Sequence, residues 1–360
     1  MHRMGRGAST VDVRLTAVDL FAGAGGASQG LRQAGFNVLG AVELNADAAE
    51  SFRRNHPDTL VVESDITEID IHRLMTDLRI TPGELTLLNA CPPCQGFSTL
   101  GSGGVDDPRN DLISAVWPFI SVLQPKAIVI ENVPGIQHDH RLAQLLRRAR
   151  AIGYSARGYT IEAADFGAPQ RRRRHLMLGV RESNERLPAD LETVAGRFMK
   201  TKPTPVRSVF ATSARITPGK DPHHVFRDLR PLTLERVRAI PANGSRFDLP
   251  ETHQLSCHKR LTGRHATGPY GRMSSNEPSP TLTTRCTTVS CGSFIHPTEH
   301  RGISLREAAL IQTFPKSYRF SGGYDSIERQ IGNALPPTVA EVMGRAVLGL
   351  LAALTGGRPE

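Results

Sequence analysis

Cysteine and long apolar runs are both scarce in this sequence of 360 residues. Five cysteines are too few for a disulfide framework in a chain of this size, and their odd number is typical of a reducing cytoplasm. No run approaches the roughly 18 consecutive apolar residues of a membrane span; the nearest, AVLGLLAAL, is half that length. The opening MHRMGRGAST is basic, but no apolar segment follows it, so we expect no secretory signal.

Acidic side chains are fewer than basic side chains. The sequence has 44 Lys and Arg against 35 Asp and Glu, a formal charge of +9 and a pI near 9.7. Such an excess favours a polyanionic partner, and nucleic acid is the leading one. With 39% apolar positions, the chain can build one large domain or two smaller ones.

Short apolar runs alternate with helical patterns from residue 15 to about residue 180. This alternation predicts an α/β fold with a doubly wound, mostly parallel, Rossmann-like sheet. The predicted strands are LTAVDLF, FNVLGAVE, DTLVVESD, LTLLNA, KAIVIENV, SARGYTIEA and RRHLMLGV. Helices are predicted near residues 27–34, 46–55, 111–123 and 140–151, with Gly35 and Gly153 as C-terminal stops.

The pattern changes after residue 181, where Pro, Arg, His, Thr and Ser replace the regular rhythm. Regular structure returns with SLRE and TVAE, two capping boxes that begin at Ser304 and Thr338. The last helix is apolar nearly all round and should be buried against the first sheet. The predicted organisation is a flexible tail (1–13), a catalytic and cofactor-binding domain (14–181), a smaller irregular domain (182–280) and a segment that returns to the first domain (281–354).

Five successive predicted strands end in residues that suit a binding cleft. The first leads into the glycine-rich turn AGAGG, where backbone amides can approach a nucleotide-like cofactor. Ser28 replaces the last glycine of the dinucleotide fingerprint. The next strands lead to Glu43, Asp65, Cys94 and Glu131. Each acid alone could be a helix cap, but parallel strands end at one edge, so together these residues predict one cleft.

Cys91 and Cys94 are spaced C-x-x-C, as in redox couples, zinc half-sites and some nucleophiles. A redox pair opens a helix, whereas this pair runs into a Gly/Ser stretch. A zinc site would need distant, irregularly spaced ligands such as Cys286, Cys291, His296 or His300. We favour a buried Cys91 and an exposed, nucleophilic Cys94 whose thiolate needs nearby positive charge, and we expect no metal site.

Six motifs together resemble those of DNA (cytosine-5) methyltransferases. They are DLFAGAGG, PPCQGFS, ENV, QRRRRH, REAALIQTFP and QIGNALPPTVA, in the family's order. The likeness covers nearly the whole chain apart from residues 182 to about 274, and PPCQGFS followed by ENV is very specific. The resemblance implies S-adenosylmethionine as the cofactor, double-stranded DNA as the partner, and the irregular region as a target-recognition domain.

The resemblance also implies the catalytic chemistry. Carbon 5 of cytosine is a poor nucleophile, so a group must first add at carbon 6 to create an enamine. Cys94 would be that group, and Glu131 would hold a proton for ring nitrogen 3. The enamine then takes the methyl group, after which loss of the carbon 5 proton and of Cys94 releases methylcytosine. The base must leave the duplex for this reaction.

The run of four arginines divides into two sets along a strand. Alternation places Gln170, Arg172 and Arg174 on one side, and Arg171 and Arg173 on the solvent side. The family's Q-x-R-x-R pattern assigns the first side to the site. Arg174 would bond the cytosine carbonyl and favour a thiolate, with Arg172 in support and Gln170 at the DNA.

The family pattern further implies cofactor and DNA contacts. From the methionine end through the ribose and adenine to the sulfonium neighbourhood, the cofactor residues are Phe21, Gly23, Gly25, Glu43, Asp65, Ile66, Pro93 and Asn333. Ile66 could equally be a core residue. The expected DNA contacts beside Gln170 are Ser98 and Arg109, in a Gly/Ser loop that would close over DNA, and Thr283 in SPTLTTR. Arg109 could equally form a local salt bridge.

Three other functions fit parts of the pattern. One branch of the family methylates transfer RNA but lacks a large recognition region. A silent DNA-binding protein would not need Cys94, Glu131 and Arg174, and a dehydrogenase would need a nicotinamide-type glycine pattern. We expect a cytoplasmic monomer, associated with the nucleoid in a prokaryote, whose functional partner is a cognate restriction endonuclease that it does not bind. The target sequence cannot be read from these residues.

Overall fold

A seven-stranded sheet forms the centre of the protein in the computed structural model, which describes residues 15–93, 108–182, 187–259 and 268–354. The strands are β1 (Thr16–Leu20), β2 (Asn37–Glu43), β3 (Leu60–Glu63), β4 (Leu87–Ala90), β5 (Ala127–Asn132), β6 (Tyr154–Glu162) and β7 (Arg173–Arg181). Their order is β3-β2-β1-β4-β5-β7-β6, and only β7 runs antiparallel to its neighbours. The seven predicted strands and the mostly parallel sheet are confirmed.

Helices cover both faces of the sheet, which is why β1 and β5 are buried at every position. Successive residues of a strand pack on opposite faces of the sheet. Ala17 belongs to one apolar cluster, while Val18 and Leu20 belong to the other. The helices are α1 (Gly26–Gln33), α2 (Ala46–Asn55), α3 (Ile71–Leu78), α4 (Val116–Leu123), α5 (His140–Ala151), α6 (Leu191–Ala195), α7 (Arg207–Ser213), α8 (Pro231–Ala239), α9 (Ser256–Lys259), α10 (Leu305–Ile311), α11 (Tyr324–Asn333) and α12 (Pro337–Leu354).

The four helices predicted around the sheet are present as α1, α2, α4 and α5. Helix α4 begins at Val116 rather than near residue 111, because a 3-10 turn (Pro108–Ile113) precedes it. Helix α3 was not predicted; the Asp70 side chain caps it by accepting a hydrogen bond from the Arg73 amide at 3.0 Å. Gly35 and Gly153 have φ of 98° and 93° and end α1 and α5 as predicted.

Helix α12 returns to the sheet and packs against α1. Gly30 permits this approach, because a Cβ at that position would lie 2.1 Å from the Pro337 carbonyl oxygen. The capping box predicted at Ser304 is present at the start of α10, where the Ser304 and Glu307 side chains bond each other's backbone amides. The capping box predicted at Thr338 is wrong, since α12 already begins at Pro337.

The segment after β7 stays on the sheet for longer than predicted. Leu187 and Ala195 are buried in the cluster that also holds α12, and Leu191 packs against it. The predicted start of the second domain at residue 182 therefore falls inside a segment whose apolar side chains belong to the first domain.

The middle region, which we define as the described residues between 199 and 303, contains α7, α8, α9, 3-10 turns and isolated bridges, and no β-strand. Arg272 holds this backbone together. Its buried guanidinium donates to the carbonyl oxygens of Val237 (2.8 Å), Ile240 (3.1 Å), His296 (2.7 Å) and Glu299 (2.7 Å). An arginine can satisfy several buried carbonyls at once, which replaces the ladder of a sheet.

One stretch among the described residues, Tyr324–Ala353, has the length and mean hydropathy (1.2) of a membrane span. This stretch was not predicted from the sequence, because α11 and α12 form it together. Half of its apolar window is buried inside the protein. A core helix meets the same criterion, and α12 packs in the cluster shared with α1.

Candidate active site

The register of the sheet brings the predicted site residues to one edge. Leu20 of β1 pairs with Val42 of β2 and with Ala90 of β4, and Ala90 pairs with Ile130 of β5. The next residue of each strand therefore lies one step beyond a common row. Those next residues are Phe21, Glu43, Cys91 and Glu131. The carboxyl edge of the sheet thus collects the glycine turn, two carboxylates and a thiol in one place.

Glu131 and Arg174 form an ion pair across β5 and β7. Arg174 Nε lies 2.7 Å from Glu131 Oε1, and the two side chains are only 13% and 10% exposed. A second bond from the guanidinium to the Arg173 carbonyl, at 2.7 Å, fixes the arginine further. The pair places a carboxyl group and a guanidinium side by side at the sheet edge, as the sequence predicted for residues that act on one base.

Cys91, which was expected to be buried, is half-buried and packs against the core. Burial, followed by the charges of Glu131 and Asp19, raises the pKa of its thiol. The Asn89 side chain lies 3.8 Å from its sulfur. A thiol in such surroundings stays protonated and inert, which agrees with the structural role expected for Cys91. Cys94 and Ser98 lie outside the described residues.

Asn132 ties the strand that carries Glu131 to the segment that leads to Cys94. Its side-chain amide donates to the Pro92 carbonyl at 3.1 Å, and its oxygen accepts from the Val133 amide at 2.7 Å. Sequence reasoning missed this residue. The signal was the asparagine inside ENV, a polar residue at the end of a strand that is buried throughout.

A second buried network lies beneath the glycine turn. Asp19 accepts hydrogen bonds from the Ser28 hydroxyl (2.6 Å) and the Asn89 amide (2.8 Å), which joins β1, α1 and β4. Complete burial raises the pKa of Asp19 to about 6. Sequence reasoning missed this network too, although Asp19 and Asn89 are polar residues within otherwise apolar strands. Ser28, the departure from the dinucleotide pattern, is part of it.

Backbone amides, one of them from the glycine turn, hold the Glu43 carboxylate in place. Glu43 accepts hydrogen bonds from the Gly23 amide (2.8 Å) and from the Asn45 amide (2.7 Å), and burial raises its pKa. Gly23 has φ of 55°, and a Cβ there would meet no atom within 4 Å. Phe21 has a φ of 57°, which is rare for an aromatic residue. Open space therefore lies in front of a strained turn beside a carboxylate, as a bound cofactor requires.

Gly25 serves the turn in another way than Gly23. It caps α1 with φ of 92°, and a Cβ would lie 2.7 Å from the Tyr318 hydroxyl and 3.0 Å from the His56 ring. Tyr318 in turn donates to the Ala24 carbonyl at 2.6 Å. Protein atoms thus fill the space that a side chain at position 25 would need, so the turn requires glycine there. The contact predicted between Gly25 and the cofactor could be made only by its backbone.

The two residues predicted at the adenine differ in accessibility. Asp65 caps a 3-10 turn by accepting from the Thr67 amide (2.8 Å) and hydroxyl (2.7 Å), and these bonds lower its pKa. Ile66 is 6% exposed and packs in the core, the alternative left open for it, and its contact with an adenine face stays a prediction. Leu44, directly after Glu43, is 65% exposed.

Gln170 and Arg172 are both buried inside the protein. Gln170 donates to the Gln312 side chain at 2.7 Å, and its oxygen accepts from the Leu282 amide at 2.7 Å. Arg172 donates to the Leu282 carbonyl at 2.9 Å, and burial lowers its pKa. Direct DNA contact by Gln170 is therefore corrected to a structural role, because no part of its side chain is exposed. The nearby charge of Arg174 also lowers the pKa of Arg172, and support of Arg174 by Arg172 stays a prediction.

The predicted alternation of the arginine run is otherwise present. Arg171 and Arg173 are exposed, and Arg171 forms an ion pair with Glu277. Asn333 ends α11 with an exposed side chain, and its carbonyl accepts from Arg172 at 3.5 Å.

Pro93, Thr283 and Arg109 are the remaining predicted residues among those that the structure describes. Pro93 is half-buried and follows β4, and Thr283 is half-buried with its carbonyl against Gly332. Arg109 belongs to the turn Pro108–Ile113.

No group of three or more His, Cys, Asp or Glu side chains is arranged for a metal ion within the ranges that the structure describes. Two of the residues named as possible zinc ligands, Cys286 and His296, have different partners. Cys286 is buried beside the Glu328 carbonyl, while His296 faces the carboxylates of Glu299 and Glu307.

A sheet of this order, with a glycine turn after β1 and an acid at the end of β2, is that of the S-adenosylmethionine-dependent methyltransferases. A solved structure of a putative DNA modification methyltransferase from an E. coli prophage matches with a TM-score of 0.67 and 27% identity, over 94% of this chain and 99% of that one. The S. pombe Dnmt2 methyltransferase matches with a TM-score of 0.64 and 18% identity, over 94% and 98%. The second likeness shows the fold alone.

The family model described as C-5 cytosine-specific DNA methylase matches residues 15–349, and the chain belongs to this family of DNA (cytosine-5) methyltransferases. The type II methyltransferase M.AgeI of Thalassovita gelatinovora is 28% identical over 92% of this chain and 99% of its own length. The type II methyltransferase M1.HphI of Haemophilus parahaemolyticus is 30% identical over 93% and 87%. The family and activity inferred from the six motifs are confirmed.

Proposed function

We propose that this enzyme methylates carbon 5 of a flipped-out cytosine, within a specific duplex sequence, through a covalent bond between Cys94 and carbon 6. The observation that carries the proposal is the buried pair of Glu131 and Arg174 at the carboxyl edge of the sheet, 2.7 Å apart. Asn132 joins this edge to Pro92, two residues before Cys94. The pKa of Cys91, the other thiol of the motif, is raised, which supports Cys94 as the nucleophile.

Glu131 and Arg174 have different roles at the cytosine base. Arg174 binds Glu131 Oε1 and orients the carboxyl group, whose other oxygen can bond ring nitrogen 3 of cytosine. Hydrogen bonding and proton transfer at nitrogen 3 draw electrons from carbon 6, so the Cys94 thiolate can add there. The Arg174 guanidinium can also bond the cytosine carbonyl oxygen and favour the thiolate electrostatically. The adduct makes carbon 5 an enamine carbon that can accept a methyl group, and loss of the carbon 5 proton from the methylated adduct then allows elimination of Cys94.

Methyltransferases of this fold use S-adenosylmethionine, and the residues here fit it. The bound cofactor supplies a methyl group on a positively charged sulfur. The amides around Gly23 and the open space before them suit its methionine end, and Glu43 suits the ribose hydroxyls. We extend the adenine site to Asp65 and to Leu44, whose exposed side chain can cover one face of the ring. Phe21, Gly25, Pro93 and Asn333 complete the proposed surroundings.

Double-stranded DNA is the proposed substrate, and RNA is the main alternative. The middle region gives about a hundred residues for reading duplex sequence, which a transfer RNA enzyme of this family lacks. The Dnmt2 likeness stands at 18% identity and speaks only to the fold. Ser98, Arg109 and Thr283 stay proposed DNA contacts, with phosphate groups as their targets. A catalytically silent DNA-binding protein is disfavoured by the intact set of Cys94, Glu131 and Arg174.

The deciding experiment supplies methyl-labelled S-adenosylmethionine with either plasmid DNA or transfer RNA. We expect label in the plasmid only, and label in the RNA only would overturn the choice of substrate. DNA that contains 5-fluorocytosine should trap a covalent adduct, because fluorine cannot leave as a proton does. An active preparation that forms no such adduct would exclude the Cys94 route.

The type II names of the relatives favour a modification enzyme that protects DNA from a partner restriction endonuclease. We propose that the enzyme acts as a cytoplasmic, nucleoid-associated monomer and does not bind that endonuclease. Bisulfite sequencing of DNA from expressing cells would give the target motif. A plasmid from those cells should then resist an endonuclease that cuts this motif, and full sensitivity would contradict the protective role.

A further inference from the structure

An open basic cleft lies between the middle region and the segment after α10. Its volume of about 580 Å³ is in the range of ligand sites. Residues 215–221 form one wall and residues 316–319 form the other. The lining side chains are Arg215, Ile216, Thr217, Lys220, Asp221, Lys316, Ser317 and Arg319. Four of these eight are cations, and none belongs to the catalytic edge.

The single acid of the cleft does not balance these cations. Asp221 accepts hydrogen bonds from Arg306 Nε at 2.6 Å and from a terminal nitrogen of Arg306 at 3.2 Å. Arg306 is fully buried beneath the cleft, so its charge is committed to Asp221. Arg319 approaches the same carboxylate at 3.6 Å. The cleft therefore keeps a large positive excess.

Some exposed arginines on other surfaces have acidic partners, whereas others, such as Arg79 and Arg147, form no ion pair within the described part of the chain. Arg54 pairs with Glu50 on α2 at 2.9 Å, and Arg345 pairs with Glu341 on α12 at 2.9 Å. By contrast, Arg215, Lys220 and Lys316 form no ion pair with any residue in the described part of the chain. Like charges that converge without counter-charges destabilise a folded protein, and proteins accept such features mainly at functional sites.

The lining suits phosphate groups and holds no ring on which a nucleobase could stack. Guanidinium and ammonium groups, together with the Thr217 and Ser317 hydroxyls, are the donors that bind phosphate oxygens. Ile216 is the only apolar side chain in the lining, and no aromatic ring is present there for stacking. We propose that this cleft binds the phosphodiester backbone of duplex DNA, as a contact separate from the one at the flipped cytosine. The inference rests on the DNA substrate proposed above.

The cleft lies one helix length away from the cofactor edge. Its Arg319 amide donates to Asn55 Oδ1 at 2.9 Å, and Asn55 Nδ2 donates back to the Arg319 carbonyl at 2.6 Å. Asn55 ends α2, a helix of 10 residues that begins three positions after Glu43. At 1.5 Å per residue the helix separates the two places by about 15 Å. The bound backbone is thus either the flank of the methylated duplex or a second duplex segment.

The test measures DNA affinity against salt, because each phosphate contact contributes to that dependence. We compare the full-length wild type with the double variant Arg215→Gln, Lys316→Gln. The matched control, Arg79→Gln, Arg147→Gln, removes the same charge from two exposed arginines elsewhere. The probe is a fluorescent duplex of mixed sequence. The slope of log K against log salt should become less negative by about 1.8 in the cleft variant, at about 0.9 per lost contact.

The control variant should leave the slope unchanged. An equal change in both variants would show an effect of net charge alone and would overturn the proposal, as would no change in the cleft variant. Because the substituted residues are exposed, both variants should keep the wild-type melting temperature and methyl transfer at low salt. Loss of methylation by the wild type would instead contradict the proposed function.

Duplex length separates the two sources of the backbone. If the flank of the methylated duplex occupies the cleft, the slope difference should appear only with a duplex long enough to reach it. If a second duplex occupies the cleft, short duplexes should bind with a stoichiometry of two, reduced to one in the cleft variant. Stoichiometry of one and identical slopes at every length would overturn both forms of the proposal.

Discussion

At the carboxyl edge of the sheet, apolar strands hold polar catalytic groups in place, whereas in the middle region a charged side chain holds the backbone. Glu131 stands at the end of a strand that is buried at every position. Arg272, by contrast, is itself the buried centre, and four backbone carbonyls converge on it. Where regular strands exist, burial of apolar residues positions the function. Where they are absent, single side chains must supply the missing hydrogen bonds.

The largest effect should follow from removal of the nucleophile at the edge. Cys94→Ala should abolish methyl transfer, because no other thiol can add to carbon 6. Cys91→Ala should keep the activity and lose only some stability, since Cys91 is packed against the core and its raised pKa makes it inert. Label transfer to plasmid DNA measures both. An inactive Cys91 variant beside an active Cys94 variant would assign catalysis to the other thiol.

The next effect concerns the carboxyl group at the same edge. Glu131→Gln keeps the shape but removes the proton carrier, so single-turnover methylation should fall by about 10²- to 10⁴-fold. Affinity for S-adenosylmethionine should stay unchanged, because Glu43 and the glycine turn are untouched. Glu50→Gln, on the exposed side of α2, serves as the control. Equal rates for wild type and Glu131→Gln would remove Glu131 from the mechanism.

Arg272→Met tests the other half of the comparison. Loss of its donors leaves buried carbonyls without partners, which should destabilise the middle region by about 2–3 kcal/mol. Limited proteolysis should cut that region faster and DNA affinity should fall, while cofactor binding persists at the sheet. Arg238→Met, an exposed arginine of α8, is the matched control. If both variants behave alike, Arg272 does not organise this region.

The most gradual effect should come from Asp19 beneath the glycine turn. Burial raises its pKa from 3.8 to about 6, so the folded protein keeps a proton that the unfolded chain releases. Stability should therefore fall as the pH rises between these two values, by at most about 1.4 kcal/mol per pH unit. Urea unfolding of wild type and Asp19→Asn across this range measures the difference. Parallel pH profiles would show that Asp19 is not buried as an acid.

Much of the edge could be predicted because its signals are local. Alternation of apolar runs gave the strands, and parallel strands end at one edge, so Glu43 and Glu131 could be grouped without coordinates. The assignment of Gln170 to DNA failed for a non-local reason. Alternation predicts which side of a strand a residue faces, but Gln170 is covered by Gln312 and Leu282, which are distant in sequence. The two roles left open for Ile66 show the same limit of local patterns, since strand-end position does not decide burial.

The internal organisation of the middle region could not be predicted from local sequence signals. In the sequence, Arg272 does not differ from the other arginines of a basic, irregular stretch. No residue adjacent to it in sequence indicates that four carbonyls surround its side chain. Its partners come from α8 and from the loop before α10, and only the folded chain brings them together. Likewise, Asp221 and Arg306 are far apart in sequence, and their pairing is what leaves the basic cleft unbalanced.

The amino-acid sequence by itself determined the sheet, the glycine turn, the order of the chemical groups and the family, because each depends on short-range periodicity or on contiguous motifs. Only the tertiary structure decided which of these groups are buried or exposed, which arginine meets Glu131, and where positive charge collects without partners. Those outcomes depend on side chains from remote segments sharing one small volume, and solvent exclusion within that volume is a property of the assembled fold.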